Sequence, residues 1–476
     1  MAPQLSDALP RFRPALLALV LLGTAGYSYV LAFHYDWLQQ IPGWFFYYQD
    51  KHKVAYQFAH LAWMLAFGLL TGFIFLKKSP RALVSLGFGL ALFVSLQIGY
   101  GWVLGGGFEA LREKYATAAI SEELQTVCQS SQDLRASLQD YDQLYGQDFW
   151  LGTKPPGFFA FYALTRAGMG LLRPAVLTDP RVCFLTLTKN FAYLLPFLAA
   201  LTLVPLYFVQ KQLLGRAFPF LSGLVYLAVP SVLLMTLLPD QFLFPLLFCL
   251  FLLALTWMVT RQSFAAACLA GALACFSIFV SFSLLPILGL TLLWLGLDAW
   301  IQRRSLKRLI GLLAAFAAGL LLVSLLLWLW IGYNPLLRYQ LAFQQHRAIK
   351  QFDFSLPSLM ADLLLNQLDF MLWTGFGLLC LFYLGAFNSF KALFRGQAGT
   401  FDSFRVAFFL TFLILNLAGQ TRSEVGRLWV FLLPGLALVS FPETLKLLKN
   451  PFQSFALYFI SQLWSASLVF YYIHFP

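Results

Sequence analysis

The chain has 476 residues, of which 60% are hydrophobic and 11% charged, with a mean hydropathy of +0.74, whereas a soluble domain carries about a quarter charged residues. That composition excludes water as the main solvent. The formal charge of +12 is divided into short clusters between apolar runs and forms no single basic stripe, which excludes a nucleic-acid partner and reads as loop charge on one side of a membrane.

A helix of about twenty apolar residues crosses a hydrocarbon core of roughly 30 Å. Runs of that kind predict spans at 14–33, 54–76, 82–104, 190–209, 218–238, 241–260, 264–280, 284–300, 309–330, 370–387, 404–417, 427–441 and 455–475. The expected fold is therefore an all-α polytopic membrane protein with about thirteen transmembrane helices. The first run follows Arg13, lacks a small-residue cleavage site and reads as a retained helix.

The apolar piece 158–172 decides the topology. Counted as a span, it would move Lys211 and Arg216 to the outer side and invert every later loop. Left out, it puts Arg11 with Arg13, Lys77 with Lys78 and Arg81, and the cluster Arg303, Arg304, Lys307 and Arg308 all on the inner side, so it is expected to be an interfacial or re-entrant helix. The N-terminus is then cytoplasmic and two long segments, 105–189 and 331–369, lie outside. Residues 1–80 form an additional N-terminal transmembrane hairpin, 81–445 the membrane core, and 446–476 a C-terminal helix. Of six cysteines, four lie in apolar runs; Cys128 and Cys183 share the first long segment, where spacing leaves a disulfide open and no zinc pattern exists.

Acidic residues concentrate in that first segment. Glu109 and Glu113, four apart, share one helical face where the chain leaves the bilayer, suited to accept a hydroxyl proton or simply to solvate the surface. Lys154 precedes Pro155 and Pro156, whose fixed φ holds it at the membrane surface, as a lipid-phosphate ligand or an ordinary snorkelling lysine. Asp240, in the turn after Pro239, is a helix cap or a cavity carboxylate. In the second segment Arg338, His346, Arg347 and Lys350 gather where inner-side bias leaves few cations, and a phosphate or anionic headgroups would explain them. Arg422, Glu424 and Arg427 open the run 427–441, and Glu424 and Arg427 share one face, as an ion pair or a substrate contact.

The order of these motifs, an acidic loop, KPPG, Asp240, QQHRAIKQF and then SEVGRLWVFLLP, resembles the GT-C superfamily of integral-membrane glycosyltransferases over about residues 99–441. The nearer likeness is to its bacterial family 39-like and mannosyltransferase-like members, in which an HPPG-type motif and an E-x-x-R-x-W motif recur. That resemblance implies an enzyme of EC class 2.4 in the plasma (inner) membrane, with its active site on the outer, periplasmic face. The donor would be a polyprenyl-phosphate sugar and the acceptor a hydroxyl on a lipid, glycan or protein. It also implies inversion at the anomeric carbon, an acidic base, here Glu109 or Glu113, and a divalent metal in some members. Lys154, His346, Arg347 and Arg427 would neutralise the leaving phosphate. The alternative is a transporter or flippase for lipid-linked saccharides, which would use the same cations.

Overall fold

A computed structural model describes residues 14–40, 59–78, 82–103, 106–117, 121–130, 133–148, 151–215, 220–236, 238, 241–350, 355–417 and 424–473. All of its regular elements are helical, and nine helices among the described residues are long and apolar enough to cross a membrane. The chain is a polytopic helical membrane protein.

Two helices, α1 (Pro14–Phe33) and α3 (Ala59–Lys78), flank the short α2 (Tyr35–Gln39), and α4 (Ala82–Val103) follows. The first long segment folds into α5 (Phe108–Thr117), α6 (Ser121–Gln129), α7 (Leu134–Gln139) and α8 (Tyr141–Tyr145), then α9 (Gly157–Leu172) and α10 (Ala175–Thr178). At 16 residues, α9 is shorter than a usual span, and its buried residues cluster in its first half while Leu171 and Leu172 are exposed. Next come α11 (Pro180–Ala200) and α12 (Leu203–Leu214), nearly continuous over 35 residues. Such a rod is about 50 Å long, roughly 20 Å more than the hydrocarbon core. Its surplus gives the first segment a wall to fold against: α5 and α6 pack on α11, and a Cys128–Cys183 disulfide joins α6 to α11.

The expected span 218–238 is interrupted. It divides into α13 (Leu221–Leu227) and α14 (Pro230–Met235), because Pro230 forces Val229 into an extended backbone and supplies no N–H. The helices α15 (Leu243–Arg261), α16 (Phe264–Val280), α17 (Pro286–Ile301) and α18 (Leu306–Ile331) follow. The second long segment holds α19 (Pro335–Lys350) and most of α20 (Leu356–Thr374), which runs past the expected boundary at 369. The expected span 370–387 straddles Gly375, whose φ of +78° ends α20 before α21 (Phe376–Phe394) begins, and α21 and α22 (Thr400–Leu417) form the next pair. The expected span 427–441 is interrupted as well: α23 (Val425–Leu428), a 3-10 turn at Val430–Leu432 and then α24 (Leu433–Thr444), with Pro434 in its first turn. The last helix is α25 (Pro451–Tyr472).

The two interrupted helices pack on each other, α13 against α24 and α14 against α23. Every residue of α13 and α14 is buried. Around them α1 and α3 pack on α25, with Trp464 Nε1 donating to Ser28 Oγ at 2.9 Å, and Tyr27 Oη of α1 donates to the carbonyl of Leu372 in α20 at 2.9 Å. One end of the bundle holds the ion pairs Arg304–Asp298 at 3.4 Å and Lys446–Glu443 at 3.3 Å, with Arg405 donating to the Val439 carbonyl at 2.8 Å. From that end α18 runs 26 residues, about 39 Å, to the end where the two long segments lie.

α18 is the least buried of the nine, and its attachment is a close crossing with α16. A Cβ on Gly271 would collide with the Phe316 carbonyl, and one on Gly319 with that of Cys268. Gly319→Leu should therefore lower the thermal midpoint of the detergent-solubilised protein, by a cost of about 1–3 kcal/mol. Gly289→Ala, which faces open space on α17, should leave it unchanged or slightly higher; equal midpoints for the two variants would contradict the crossing.

Candidate functional site

The KPPG turn is built from both sides. On the N-terminal side, Asp148 Oδ1 accepts from Leu151 N at 2.8 Å and opens a 3-10 turn, Leu151–Thr153, after which the Lys154 amide returns to the Leu151 carbonyl at 3.1 Å. On the C-terminal side Pro155 and Pro156 end the turn, and α9 begins at Gly157, where a Cβ would strike the Phe279 carbonyl at the end of α16. Phe158 and Phe161 then pack against Phe244 and Phe242 of the α15 start.

Lys154 is held at its side chain and at its backbone. Its Nζ meets Glu123 Oε2 of α6 at 3.0 Å, and Glu123 is 1% exposed against 21% for the lysine. Its carbonyl accepts from Arg338 Nε of α19 at 3.1 Å. Arg338, 2% exposed, also gives Nη1 to Asp142 Oδ1 at 2.6 Å and Nη2 to the Leu151 carbonyl at 3.4 Å and to the Gly152 carbonyl, and its guanidinium lies 5.5 Å from the Tyr141 ring centre. Burial raises the Tyr141 phenol well above its ordinary value, so it stays a neutral donor, bonded to the Leu151 carbonyl at 3.2 Å. A second bridge, Arg135 Nε to the Trp330 carbonyl at 3.2 Å, ties α7 to the end of α18. The two long segments thus sit at the same end of the bundle.

Arg166 of α9 fastens α6 from below. Its Nη1 donates to the carbonyls of Val127 at 2.7 Å and Ser130 at 2.8 Å, and Nη2 to that of Leu177 at 2.8 Å. The first two are acceptors at the end of α6, and the third belongs to α10, so Arg166 ties both to α9.

Glu109 and Glu113 lie on exposed positions of α5, where Glu109 Oε2 pairs with Arg112 Nε at 2.6 Å and not with Lys154. His346 is half-buried and Arg347 exposed on α19, about 13 Å beyond Arg338 along the helix. Asp240 and Arg422 lie outside the described residues, as does the Lys350 side chain.

Glu424 and Arg427 do come together, with Oε2 and Nη2 3.6 Å apart and exposures of 11% and 15%. Beneath them lies a carboxylate the sequence reading placed only as the boundary of a segment: Asp369 of α20, fully buried, accepts from Val425 N at 2.9 Å and so holds the start of α23. Burial, with a smaller push from the Glu424 charge, raises Asp369 to about 7, against the pull of the Val425 and Gly426 amides and the Trp373 indole. The signal that could have found it is an ionisable residue at the edge of an apolar run. Glu123 was legible only as one of many loop carboxylates.

No protein-family model matches the chain, and a search of curated proteins returns no match.

Removing Glu123 takes a fully buried carboxylate away from a largely buried ammonium, whereas Glu109 belongs to an exposed pair. Glu123→Ala should cost up to about 3 kcal/mol and Glu109→Ala less than about 1 kcal/mol; comparable thermal midpoints would contradict the difference in burial. Folded Asp369 keeps its proton to about pH 7, while an unfolded aspartate releases it near 3.8. The folded state therefore holds the extra proton between those values, so this group's contribution to stability falls as pH rises through that window and levels off above it. Asp369→Asn should flatten that slope in thermal melts from pH 4 to 8, and a slope identical to the parent's would show that Asp369 does not titrate there.

Proposed function

We propose that the chain is a GT-C-like glycosyltransferase of EC class 2.4, with about thirteen membrane crossings. In this reading it lies in the plasma (inner) membrane with a cytoplasmic N-terminus, and moves a sugar from a polyprenyl-phosphate donor to an acceptor hydroxyl on the periplasmic face. The observation that carries the reading is the two-sided hold on Lys154 at the KPPG turn. A disulfide in the same segment supports an oxidising, outer location for that end.

In the reaction the acceptor oxygen attacks the anomeric carbon, the bond from that carbon to the phosphate oxygen breaks, and a carboxylate takes the hydroxyl proton. The lipid phosphate leaves with the bonding pair, and cations stabilise the charge that develops on it. Lys154, His346, Arg347 and Arg427 are the cations assigned to that role, with Lys350 and Arg422 from the sequence pattern. Glu109 or Glu113 is the assigned base; Asp240 and Glu424 complete the substrate set. Among the described residues no three His, Cys, Asp or Glu side chains gather as a metal site, so no step is routed through a divalent ion.

A transporter or flippase for lipid-linked saccharides is the second reading, favoured by the paired interrupted helices α13/α14 and α23/α24, since discontinuous helices build binding sites in transporters. Lipid extracted from the purified protein should yield a polyprenyl-phosphate hexose or pentose by mass spectrometry. Glu109→Gln and Glu113→Gln, made separately, should reduce transfer by about 10²–10⁴-fold in one case. Undiminished transfer in both rejects the base, and carrier translocation in vesicles without a glycosidic product rejects the enzyme in favour of the flippase.

A further inference from the structure

Arg338 sits in a group of outer-segment cations, yet its contacts set it apart from the others. Four protein acceptors surround its guanidinium: the Lys154, Leu151 and Gly152 carbonyls and the Asp142 carboxylate. It is 2% exposed, and its ring partner Tyr141 is itself bonded to the Leu151 carbonyl. A guanidinium offers five N–H groups in a fixed plane, so a buried one with this many acceptors has little left for a ligand. Three of those acceptors, the Leu151, Gly152 and Lys154 carbonyls, belong to the turn that precedes the Pro-Pro step, and Arg338 thereby sets where the Lys154 main chain lies. Asn334 fixes Arg338 in turn, its Oδ1 accepting from Leu336 N and Leu337 N at 3.1 Å each to cap α19.

We infer that Arg338 is a positioning residue for the phosphate site: it docks the second long segment onto the 151–154 turn and holds the Lys154 backbone while Glu123 holds the side chain, so that the ammonium is presented in one place to a lipid phosphate. The inference rests on the reading of Lys154 as a phosphate ligand. A lysine at position 338 could not reproduce the hold, because one ammonium cannot reach acceptors spread along the plane of a guanidinium.

The test uses the full chain in lipid nanodiscs and two measurements. The first is the rate at which an amine reagent modifies Lys154, read by peptide mass spectrometry, which needs no ligand. Arg338→Gln should raise that rate several-fold, and Arg338→Lys should resemble Arg338→Gln. The second is the affinity for a polyprenyl monophosphate relative to the neutral polyprenol, a ratio that a general loss of structure does not change selectively. Lys154→Gln and Arg338→Gln should each reduce the ratio about tenfold, and the double variant no further than either, as expected for residues acting through one another. If Arg338→Gln does not yield folded protein with an intact Cys128–Cys183 bond, Asp142→Asn, which weakens a single arm of the clamp at a 42% exposed carboxylate, replaces it with smaller changes in the same direction. An unchanged Lys154 modification rate overturns the positioning role whatever the ligand. A changed rate with a ratio lost in Lys154→Gln but kept in the Arg338 variants also overturns it. A changed rate with the ratio kept in Lys154→Gln overturns the phosphate reading and the proposal with it.

Discussion

A bilayer core offers a backbone no hydrogen-bond partners, so helix interruptions can lie at membrane depth only where protein surrounds them. That constraint organises this molecule. The breaks at Val229–Pro230 and around Trp429–Leu433 leave amides and carbonyls outside regular helices, and the two interrupted helices answer it by packing together at the centre. Side chains from neighbouring helices reach in to bond what is freed: Gln97 Nε2 donates to the Val232 carbonyl at 3.2 Å and Tyr458 Oη to that of Val225 at 3.0 Å. Continuous helices such as α1 and α18 take the lipid-facing positions, because they satisfy their own backbones.

The same accounting explains the end that carries the long segments. A 3-10 turn followed by two prolines leaves a run of carbonyls with no helix to enter, and those of Leu151, Gly152 and Lys154 all find Arg338. The guanidinium is buried without being stranded, since Asp142 balances its charge and the carbonyls use its remaining donors. One residue of the second segment thereby fixes the geometry of the first, 184 positions earlier in the chain.

Hydropathy alone made the polytopic helical class and the two long segments legible, because length and apolarity are properties of one stretch of chain. The separate standing of α9 was legible for a similar reason, in its 16 residues and the prolines before it. Pro230 was the visible sign that 218–238 would not stay one helix, but a run's hydropathy does not register the break. Glu123, Arg338 and Asp369 were not legible as buried groups. Each owes its burial to a partner far along the chain: Lys154 for Glu123, the 151–154 turn for Arg338, Val425 for Asp369. In one dimension Glu123 is one more acidic residue of a charged loop, indistinguishable from the exposed Glu109. The cysteine pair was equally open, since a separation of 55 residues says nothing about proximity until α6 lies against α11.

The charges around the two clusters bear on how a phosphate would be drawn there. Lys154 and Arg338 are matched by Glu123 and Asp142, and Asp148 of the same turn adds a further carboxylate. Glu424 and Arg427 are likewise neutral as a pair while Asp369 holds its proton, and the trio becomes net negative once that proton is lost. Neither cluster supplies an excess of positive charge. On the glycosyl-transfer reading, long-range attraction falls to the basic C-terminal stretch of α19 that carries His346 and Arg347, while Lys154 supplies direction at short range. Attraction and placement are then separate tasks, given to opposite ends of one helix whose N-terminal turn is locked to the KPPG segment through Arg338.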